Sequence, residues 1–426
     1  MARTPRQVEI RSYQVGFGDC FLLSFVYGDR DKRHVLIDFG TTALPRKGKP
    51  SAHMPNVAKA IQTEVGAGNR LTAVVATHRH ADHISGFATD GRTGKSGEII
   101  RALRPRLVLQ PWTEDPKAQP HAVTAKTAAS GKKGFLARLT NMNRLAERVQ
   151  QLAESKPAWI SATARRELAF LGEDNLANKS AVNNLIAMGE DGAAKFLRYG
   201  DRTGLEKWLP GVKVRVLGPP DLTQSSAIRK QRSKDRDQFW HFVKGAVPGL
   251  PAAGEDSGRV KRGPPVPEEA RWFRDRLLGV TSQGLLEIVR QLDDQMNNTS
   301  LILLFEVGKK KLLFPGDAQF ENWCYAMTEA PDRKKVAELI ADVDFYKVGH
   351  HGSLNATPRK WVWDAFKKKK GKQLQTMMST MPGKHGKVAS KTEVPRRSLV
   401  TALESGSRLK NTNTLPAKVL ENFTTV

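Results

Sequence analysis

The chain has 426 residues, of which 39% are hydrophobic and 26% charged, a composition that excludes a disordered or fibrous protein. Its 69 Lys and Arg residues outnumber 43 Asp and Glu residues, and the net charge of +26 favours contact with polyanions, although a solubility surface is the other interpretation. Two cysteines exclude a disulfide framework. Because the first residues lack an apolar signal core and no segment approaches 18 apolar residues, we predict a cytoplasmic protein without membrane insertion.

Alternating hydrophobicity predicts strands along the first part of the chain, at residues 8–15, 21–27, 34–39, 71–77 and 107–109. A helix is predicted from about residue 55 to 64, between the third and fourth of these strands. The strand at 71–77 is short, apolar and rich in β-branched residues, which indicates a buried position.

The pattern changes after residue 110. Residues 111–210 are predicted to be mostly helical, with clear helical spacing at 135–152 and around 162–171. A strand is predicted at 212–217, and residues 221–296 form an irregular, strongly charged stretch that includes a Gly/Pro-rich segment.

Strands and helices alternate again near the C-terminus. We predict a hairpin of strands 300–305 and 311–314, strands at 343–348 and 374–379, and helices that begin near residues 321 and 358. Strands with helices in both halves predict an α/β protein of four layers, αββα, with two sheets packed together. The predicted units are the N-terminal half of the core (1–110), a helical insertion (111–210), a core strand (211–220), a charged, partly flexible insertion (221–296) and the C-terminal half of the core with a basic C-terminal segment (297–426).

One histidine cluster carries the strongest chemical signal. His78, His80, Asp82 and His83 have the spacing H-x-H-x-D-H and follow a buried strand directly, where α/β folds place ligand sites. His78 and His80 can point the same way and share one metal ion, while Asp82 and His83 can turn toward a second. Imidazole and carboxylate together suit Zn²⁺, Mn²⁺ or Fe and disfavour Ca²⁺.

Two later strand ends supply further ligands. An apolar strand ends in a Gly-Asp turn at Asp317, whose carboxylate could bridge two cations. Another predicted strand ends in the adjacent histidines His350 and His351, followed by Gly352, and we expect at least one of them to bind metal.

These pieces resemble the metallo-β-lactamase fold, specifically its ComEC-type branch, which includes the hydrolase domain of bacterial DNA-uptake channels and many soluble relatives. The resemblance covers about half of the chain. The matching pieces are residues 15–20, 36–40, 77–83, 216–220, 297–301, 314–317 and 347–353.

The resemblance implies that His78 and His80 hold one metal ion, that Asp82 and His83 hold the second, and that Asp317 bridges them. Asp82 would thereby serve both as a ligand and as a catalytic residue.

The same resemblance implies roles for neighbouring residues. His351 precedes a glycine, as the last histidine ligand of the superfamily does, and is the expected ligand, which leaves His350 near the substrate. Asp38 and Asp19 are expected to hold the histidine loop in place without binding the metal ions themselves.

The sequence departs from the superfamily at one ligand. A further histidine is usual between the first cluster and the bridging Asp, but His121 and His241 are the histidines of that interval and both lie in the insertions. The corresponding position offers residues 297–300, with Asn298 as a candidate to support the site. The expected cofactors are therefore two divalent ions, Zn²⁺ or Mn²⁺, with Mg²⁺ as an alternative.

Two such cations about 3.5–4 Å apart can lower the pKa of a water molecule and give a metal-activated hydroxide, which attacks phosphorus or a carbonyl carbon. Candidates to supply a proton or positive charge to a leaving oxygen are His350, Lys347 and His385.

Basic runs recur beside the predicted site segments, although each run alone is typical of a solvated face. Together they predict a phosphate-tracking groove formed by Lys309, Lys310, Lys368, Lys369, Lys384 and His385. The first hypothesis is therefore a nuclease or phosphodiesterase acting on DNA or RNA, in genome defence or DNA processing. The alternatives are a small-molecule hydrolase for a lactone, thioester or phosphoester, and a nucleic-acid-binding subunit with a weak or silent site. Residues 111–210 or 221–296 could bind a protein partner.

Overall fold

The structure is a computed structural model that describes residues 3–45, 50–89, 94–116, 179–221, 223–225, 297–386, 388, 392–416 and 420–426. Within these residues no helix is long and apolar enough to cross a membrane.

Seven strands form the first sheet: β1 (Gln7–Tyr13), β2 (Cys20–Gly28), β3 (Asp31–Phe39), β4 (Ala73–Val75), β5 (Val108–Pro111), β6 (Ala194–Leu197) and β13 (Glu421–Thr425). Their spatial order is β13-β1-β2-β3-β4-β5-β6. The pairs from β13 to β3 are antiparallel, and those from β3 to β6 are parallel.

Six strands form the second sheet: β7 (Val212–Gly218), β8 (Ile302–Val307), β9 (Lys310–Phe314), β10 (Phe345–Lys347), β11 (Gln375–Met378) and β12 (Arg408–Asn411). Their spatial order is β12-β11-β10-β9-β8-β7. The strands from β9 to β12 run parallel, whereas β7, β8 and β9 form an antiparallel meander. Since parallel strands end at the same edge, the segments that follow β9, β10 and β11 meet there.

The described parts of the first sheet's connections contain four helices: α1 (Pro50–Val65), α2 (Ala81–Ile84), α3 (Ser96–Ala102) and α4 (Lys179–Asp191). Those of the second sheet contain three: α5 (Phe320–Cys324), α6 (Arg333–Ala341) and α7 (Arg397–Gly406). Shorter helical turns lie at Ser85–Phe87, Trp112–Glu114, Leu205–Lys207, Tyr325–Glu329, Gly349–Gly352, Arg359–Trp363, Lys367–Lys372 and Thr412–Thr414.

Three apolar layers hold the described elements together. Strand β2 lies between two of these layers, which explains why its sequence is almost continuously apolar. Phe21 and Leu23 point between the two sheets, where they join Phe305 and Phe314. The intervening Leu22 points to the opposite face, toward the helices of the first sheet. A third layer packs the remaining helices on the second sheet. A sheet covered on both faces needs apolar residues at consecutive positions, and the predicted four-layer αββα fold is confirmed.

The predicted core strands are confirmed, with β4 and β10 shorter than expected. The strands β6, β12 and β13 and the helices α2, α3, α6 and α7 were not predicted. The first two of these strands are short edge strands whose residues, apart from Leu197, are exposed or half-exposed, so they lack the apolar alternation that identifies a strand. The helical segments expected at 135–152 and 162–171, and nearly all of 221–296, lie outside the described residues. The division into core and insertions stays a prediction.

Candidate metal centre

Three segments that are far apart in sequence meet at one edge of the two sheets. Nε2 of His83, beyond β4, lies 3.0 Å from Oδ2 of Asp317, beyond β9. Nε2 of His351, beyond β10, lies 2.9 Å from Oδ2 of Asp82 and 3.7 Å from Oδ2 of Asp317. The fold therefore brings the histidine cluster, the Gly-Asp turn and the His-His segment together.

Asp38 at the end of β3 holds the start of the histidine loop. Its Oδ1 accepts a hydrogen bond from the Thr77 amide at 2.7 Å, and its Oδ2 accepts one from the Thr77 hydroxyl at 2.8 Å. The same Oδ2 lies 2.8 Å from Nδ1 of His83. With Nδ1 engaged by a carboxylate, the other ring nitrogen of His83 faces Asp317, which is the usual way to orient a histidine ligand.

Among the described residues, two groups of side chains could hold a cation. One consists of Asp19, His83, Asp317 and His351, and the other of His78, Asp82 and His83; in each group the ligand atoms lie within 4.8 Å of one another. His80 lies beside them, with its ring centroid 4.5 Å from that of His78.

The donor set fits a divalent cation. Nε2 of His78 is buried and meets no hydrogen-bond partner among the described residues. A buried polar atom of this kind normally has a partner, and imidazole nitrogens with carboxylate oxygens are ligands of Zn²⁺, Mn²⁺ and Fe. A bound cation would satisfy the ring nitrogen that the protein leaves unpaired.

The His-His segment has an unusual backbone. His350 and His351 both have positive φ, at 42° and 52°, a conformation that non-glycine residues rarely adopt. The carbonyl of Ser379 lies 2.9 Å from Nδ1 of His351 and so directs Nε2 of that ring toward Asp82. His350 is mostly buried but more accessible than His351, with 22% of its side chain exposed. Strain of this kind is typical of functional sites.

A comparison with protein families supports the interpretation of these residues as a metal centre. Residues 14–108 match the family model described as Metallo-beta-lactamase superfamily. They form a metallo-beta-lactamase superfamily domain. The matched range contains Asp19, Asp38 and the histidine cluster, whereas Asp317 and the two adjacent histidines lie beyond it. A search of the curated proteins gives no match.

The metallo-beta-lactamase fold typically binds divalent metals, and the electrostatics of the metal-free site are consistent with that. Burial lowers the pKa of His83, but the carboxylates of Asp317, Asp38 and Asp82 outweigh burial and raise it well above its usual value. Burial raises the pKa of Asp317, but the neighbouring imidazoles outweigh it and hold this pKa well below its usual value. A cation would replace the positive charge that protonated histidines supply in its absence.

Lys347 lies in the interior of the candidate metal centre. It is 2% exposed, contacts the carboxylate of Asp19, and lies 3.1 Å from the carbonyl of Gly316 and 3.5 Å from Oδ1 of Asp317. Burial lowers its pKa, but Asp19 and Asp317 outweigh this and raise it. Lys347 therefore binds the inner side of the carboxylates and not the exposed face at which a substrate would lie.

His385 lies at the same edge of the sheets as the metal centre. Its ring centroid is 4.4 Å from that of Phe17, whose other neighbour is the ring of His351 at 4.5 Å. Burial lowers the pKa of His385 to about 3. The sequence indicated neither Phe17 nor Ser379, because an aromatic ring and a backbone carbonyl carry no ligand signal of their own.

Four lysines of the predicted groove lie elsewhere. Lys310 begins β9, at the end opposite Asp317, and forms an ion pair of 3.5 Å with Asp344. Lys368 precedes β11 and lies 2.9 Å from the same Asp344. Their neighbours in sequence, Lys309 and Lys369, lie in the same two segments. Strands β9 and β11 bring these four lysines to the far edge of the second sheet, so they do not flank the metal centre.

Asn298, the residue expected to support the site, is buried. Its amide donates a 2.9 Å hydrogen bond to Oε2 of Glu321. The segment reaches the histidine loop through the backbone, because the amide of Leu301 donates to the carbonyl of Thr77 at 2.9 Å. His121 and His241 lie outside the described residues.

Proposed function

We propose that this protein is a metal-dependent hydrolase that cleaves phosphodiester bonds in DNA or RNA. One observation carries the proposal: Oδ2 of Asp317 lies within 3.7 Å of imidazole nitrogens of His83, His350 and His351. A single carboxylate oxygen among several imidazoles at a strand end is the arrangement expected of a metal ligand.

We assign the side chains as follows. His78 and His80 would hold one cation, Asp82, His83 and His351 the other, and Asp317 would lie between them. Bound divalent cations supply Lewis acidity and lower the pKa of water. Zn²⁺, Mn²⁺ and Mg²⁺ are all consistent with these ligands.

Among the described residues of the site, His350 is well placed to meet a substrate. Burial lowers its pKa to about 4, so its imidazole is neutral near pH 7. A neutral imidazole at the exposed side of the carboxylates can accept or donate one hydrogen bond, and it can therefore position a leaving oxygen.

The net charge of +26 supports a polyanionic substrate, since a field of that sign speeds the encounter with nucleic acid. The resemblance to the ComEC-type branch also supports a nucleic-acid substrate. The proposal also includes a nucleic-acid substrate, a cytoplasmic location, and a protein partner bound through residues 111–210 or 221–296. One observation favours a small-molecule hydrolase as the second candidate: Lys310 and Lys368 are paired with Asp344 at the far edge and do not line the site.

A cleavage assay with single-stranded DNA, double-stranded DNA and RNA, each with Zn²⁺, Mn²⁺ or Mg²⁺, tests the proposal. We expect metal-dependent cleavage that disappears in the double variant Asp82→Ala, His83→Ala. The control Asp29→Ala, at an exposed turn, keeps full activity. If the protein opens a lactone or thioester and cuts no nucleic acid, the second candidate is correct. If it binds nucleic acid and hydrolyses nothing, it is a binding subunit with a silent site.

A further inference from the structure

A cavity of about 410 Å³ opens at the same edge of the sheets as the metal centre. Its walls are the segments that follow β1, β3, β11 and β12, and they include Gln14, Pro45, Thr380, Met381, Thr412 and Leu415. The volume falls within the range of roughly 300–1,000 Å³ that is usual for small-molecule sites.

The cavity and the metal centre share one wall. Gly16 lines the cavity, and the next residue, Phe17, packs its ring against His351. On the other side, Thr380 lines the cavity and follows Ser379, whose carbonyl orients His351. A group bound in the cavity would therefore lie directly beside one bound at the cations.

Hydrogen bonds hold this wall in place. The side-chain amide of Gln14 donates to the carbonyl of Thr412 at 3.1 Å, and the amide of Thr380 donates to the Thr412 hydroxyl at 3.2 Å. These contacts join the ends of β1, β11 and β12, so the cavity is formed before a ligand arrives. A preformed site loses less free energy on ordering than a flexible one.

The lining selects an uncharged ligand. Among the described residues that line the cavity, none is an acid, a base or a histidine. A phosphate would lose its hydration there without gaining a cation from these described residues. Gln14, Thr380 and Asn413 supply neutral polar groups, whereas Met381 and Leu415 supply apolar walls. Flat rings with amide-like edges match this combination of neutral donors, acceptors and apolar faces.

We propose that the cavity receives a nucleobase of the substrate, next to the nucleotide whose phosphodiester lies at the metal centre. The proposal rests on the proposed function, because it assigns the base and the phosphate of one substrate to two adjoining sites with different chemistry.

Calorimetry with nucleoside 5′-monophosphates and with ribose 5-phosphate tests it, using the full, metal-loaded chain, because neither ligand contains a phosphodiester bond. We expect the nucleotides to bind at least about tenfold more tightly than ribose 5-phosphate. Asn413→Trp at the exposed rim should weaken nucleotide binding by a similar factor, and Leu415→Trp should do the same if Asn413→Trp fails to fold. Asn183→Trp, at an exposed position of α4, is the matched control.

Equal affinity for ribose 5-phosphate, or unchanged nucleotide binding in folded variants of both rim residues, would overturn the proposal. Rim-sensitive nucleotide binding by a protein that cuts no nucleic acid would support the cavity and refute the proposed function. Cleavage of nucleic acid without base-dependent binding would refute the cavity alone.

Discussion

Lys347 shows how one buried side chain can balance the charge of a metal centre. Asp19, Asp38 and Asp317 are almost completely buried, and a buried carboxylate without a partner is strongly unfavourable. Lys347 contacts Asp19 and lies 3.5 Å from Oδ1 of Asp317, which leaves Oδ2 for the histidines. The lysine thereby decides which oxygen of the bridging carboxylate faces the cations.

Replacement of Lys347 by methionine keeps the length of the side chain and removes its charge. We expect the free energy of unfolding of the metal-free protein to fall by about 3–5 kcal/mol, because two buried carboxylates lose their cation. Chemical denaturation measures this change. The control Lys311→Met breaks a partly exposed pair with Asp342 and should cost no more than about 1 kcal/mol. Equal losses in the two variants would show that Lys347 has no special role.

At the scale of elements, the loops that follow β1 and β3 contact the backbone of the histidine segment and hold it in place. The amide of Asp19 donates to the carbonyl of Asp82 at 2.8 Å. A Cβ on Gly40 would lie 2.4 Å from the backbone nitrogen of His83, and one on Gly18 would lie 2.2 Å from the carbonyl oxygen of Gly40. Only glycine allows the ends of these connections to approach so closely. The close approach explains Gly18 and Gly40 in the segments 15–20 and 36–40.

Gly40→Ala should therefore displace Asp82 and His83 without altering any ligand. We expect metal affinity to fall by about 10- to 100-fold, the usual effect of disturbing the groups that support a metal ligand. Metal titration by calorimetry measures it. Gly28→Ala, where an added Cβ meets nothing within 4 Å, is the matched control and should leave metal affinity unchanged. Normal affinity in Gly40→Ala would mean that the loop adjusts freely.

A buried histidine lies in β3 where this strand pairs with β2, and its protonation should lower the free energy of unfolding. His34 is 2% exposed, and its Nδ1 lies 2.9 Å from the hydroxyl of Ser24. Burial lowers its pKa to about 4, below the ordinary value of about 6.5. Since the unfolded chain binds the proton first, stability is complete above pH 6.5 and decreases as the pH falls toward 4.

We expect His34 to account for about 3 kcal/mol of stability lost between pH 6.5 and pH 4. Urea denaturation of the protein and of His34→Gln across this interval isolates that contribution, because the other buried histidines are common to both. The variant should show a shallower decrease. Parallel stability curves for the two proteins would contradict the assignment.

At the scale of the whole molecule, the distribution of positive charge matters more for contact with nucleic acid than the net charge does. Strand β9 carries Lys310 at one end and leads to Asp317 at the other, a separation of roughly 15–20 Å. Lys384 follows β11 and lies at the edge that contains the metal centre. Contact between nucleic acid and this edge would thus involve Lys384 before the lysines of the far edge.

Lys384→Glu should weaken the binding of an oligonucleotide by about fivefold or more at low salt, and the effect should shrink as salt increases. Lys310→Glu is the matched reversal at the far edge and should change binding by less than about twofold. Fluorescence anisotropy at several salt concentrations measures both. If Lys310→Glu has the larger effect, nucleic acid binds along the far edge.

Much of the fold and of the metal centre follows from local patterns. The apolar alternation of the core strands and the spacing of His78, His80, Asp82 and His83 are properties of neighbouring residues, and they predict strands and ligands without knowledge of the rest of the chain. The ends of β9 and β10 were likewise predicted, because Asp317 and His351 each follow an apolar run.

Long-range packing decided the rest. Strand β13 exists because it pairs with β1, as in the register of Glu9 with Thr425, and its own residues carry little strand pattern. The burial of Lys347 and the position of Lys310 at the far edge depend on where each strand begins and which strands run parallel. Basic residues near a ligand in sequence can therefore lie at the opposite edge of a sheet, since a strand separates its two ends in space.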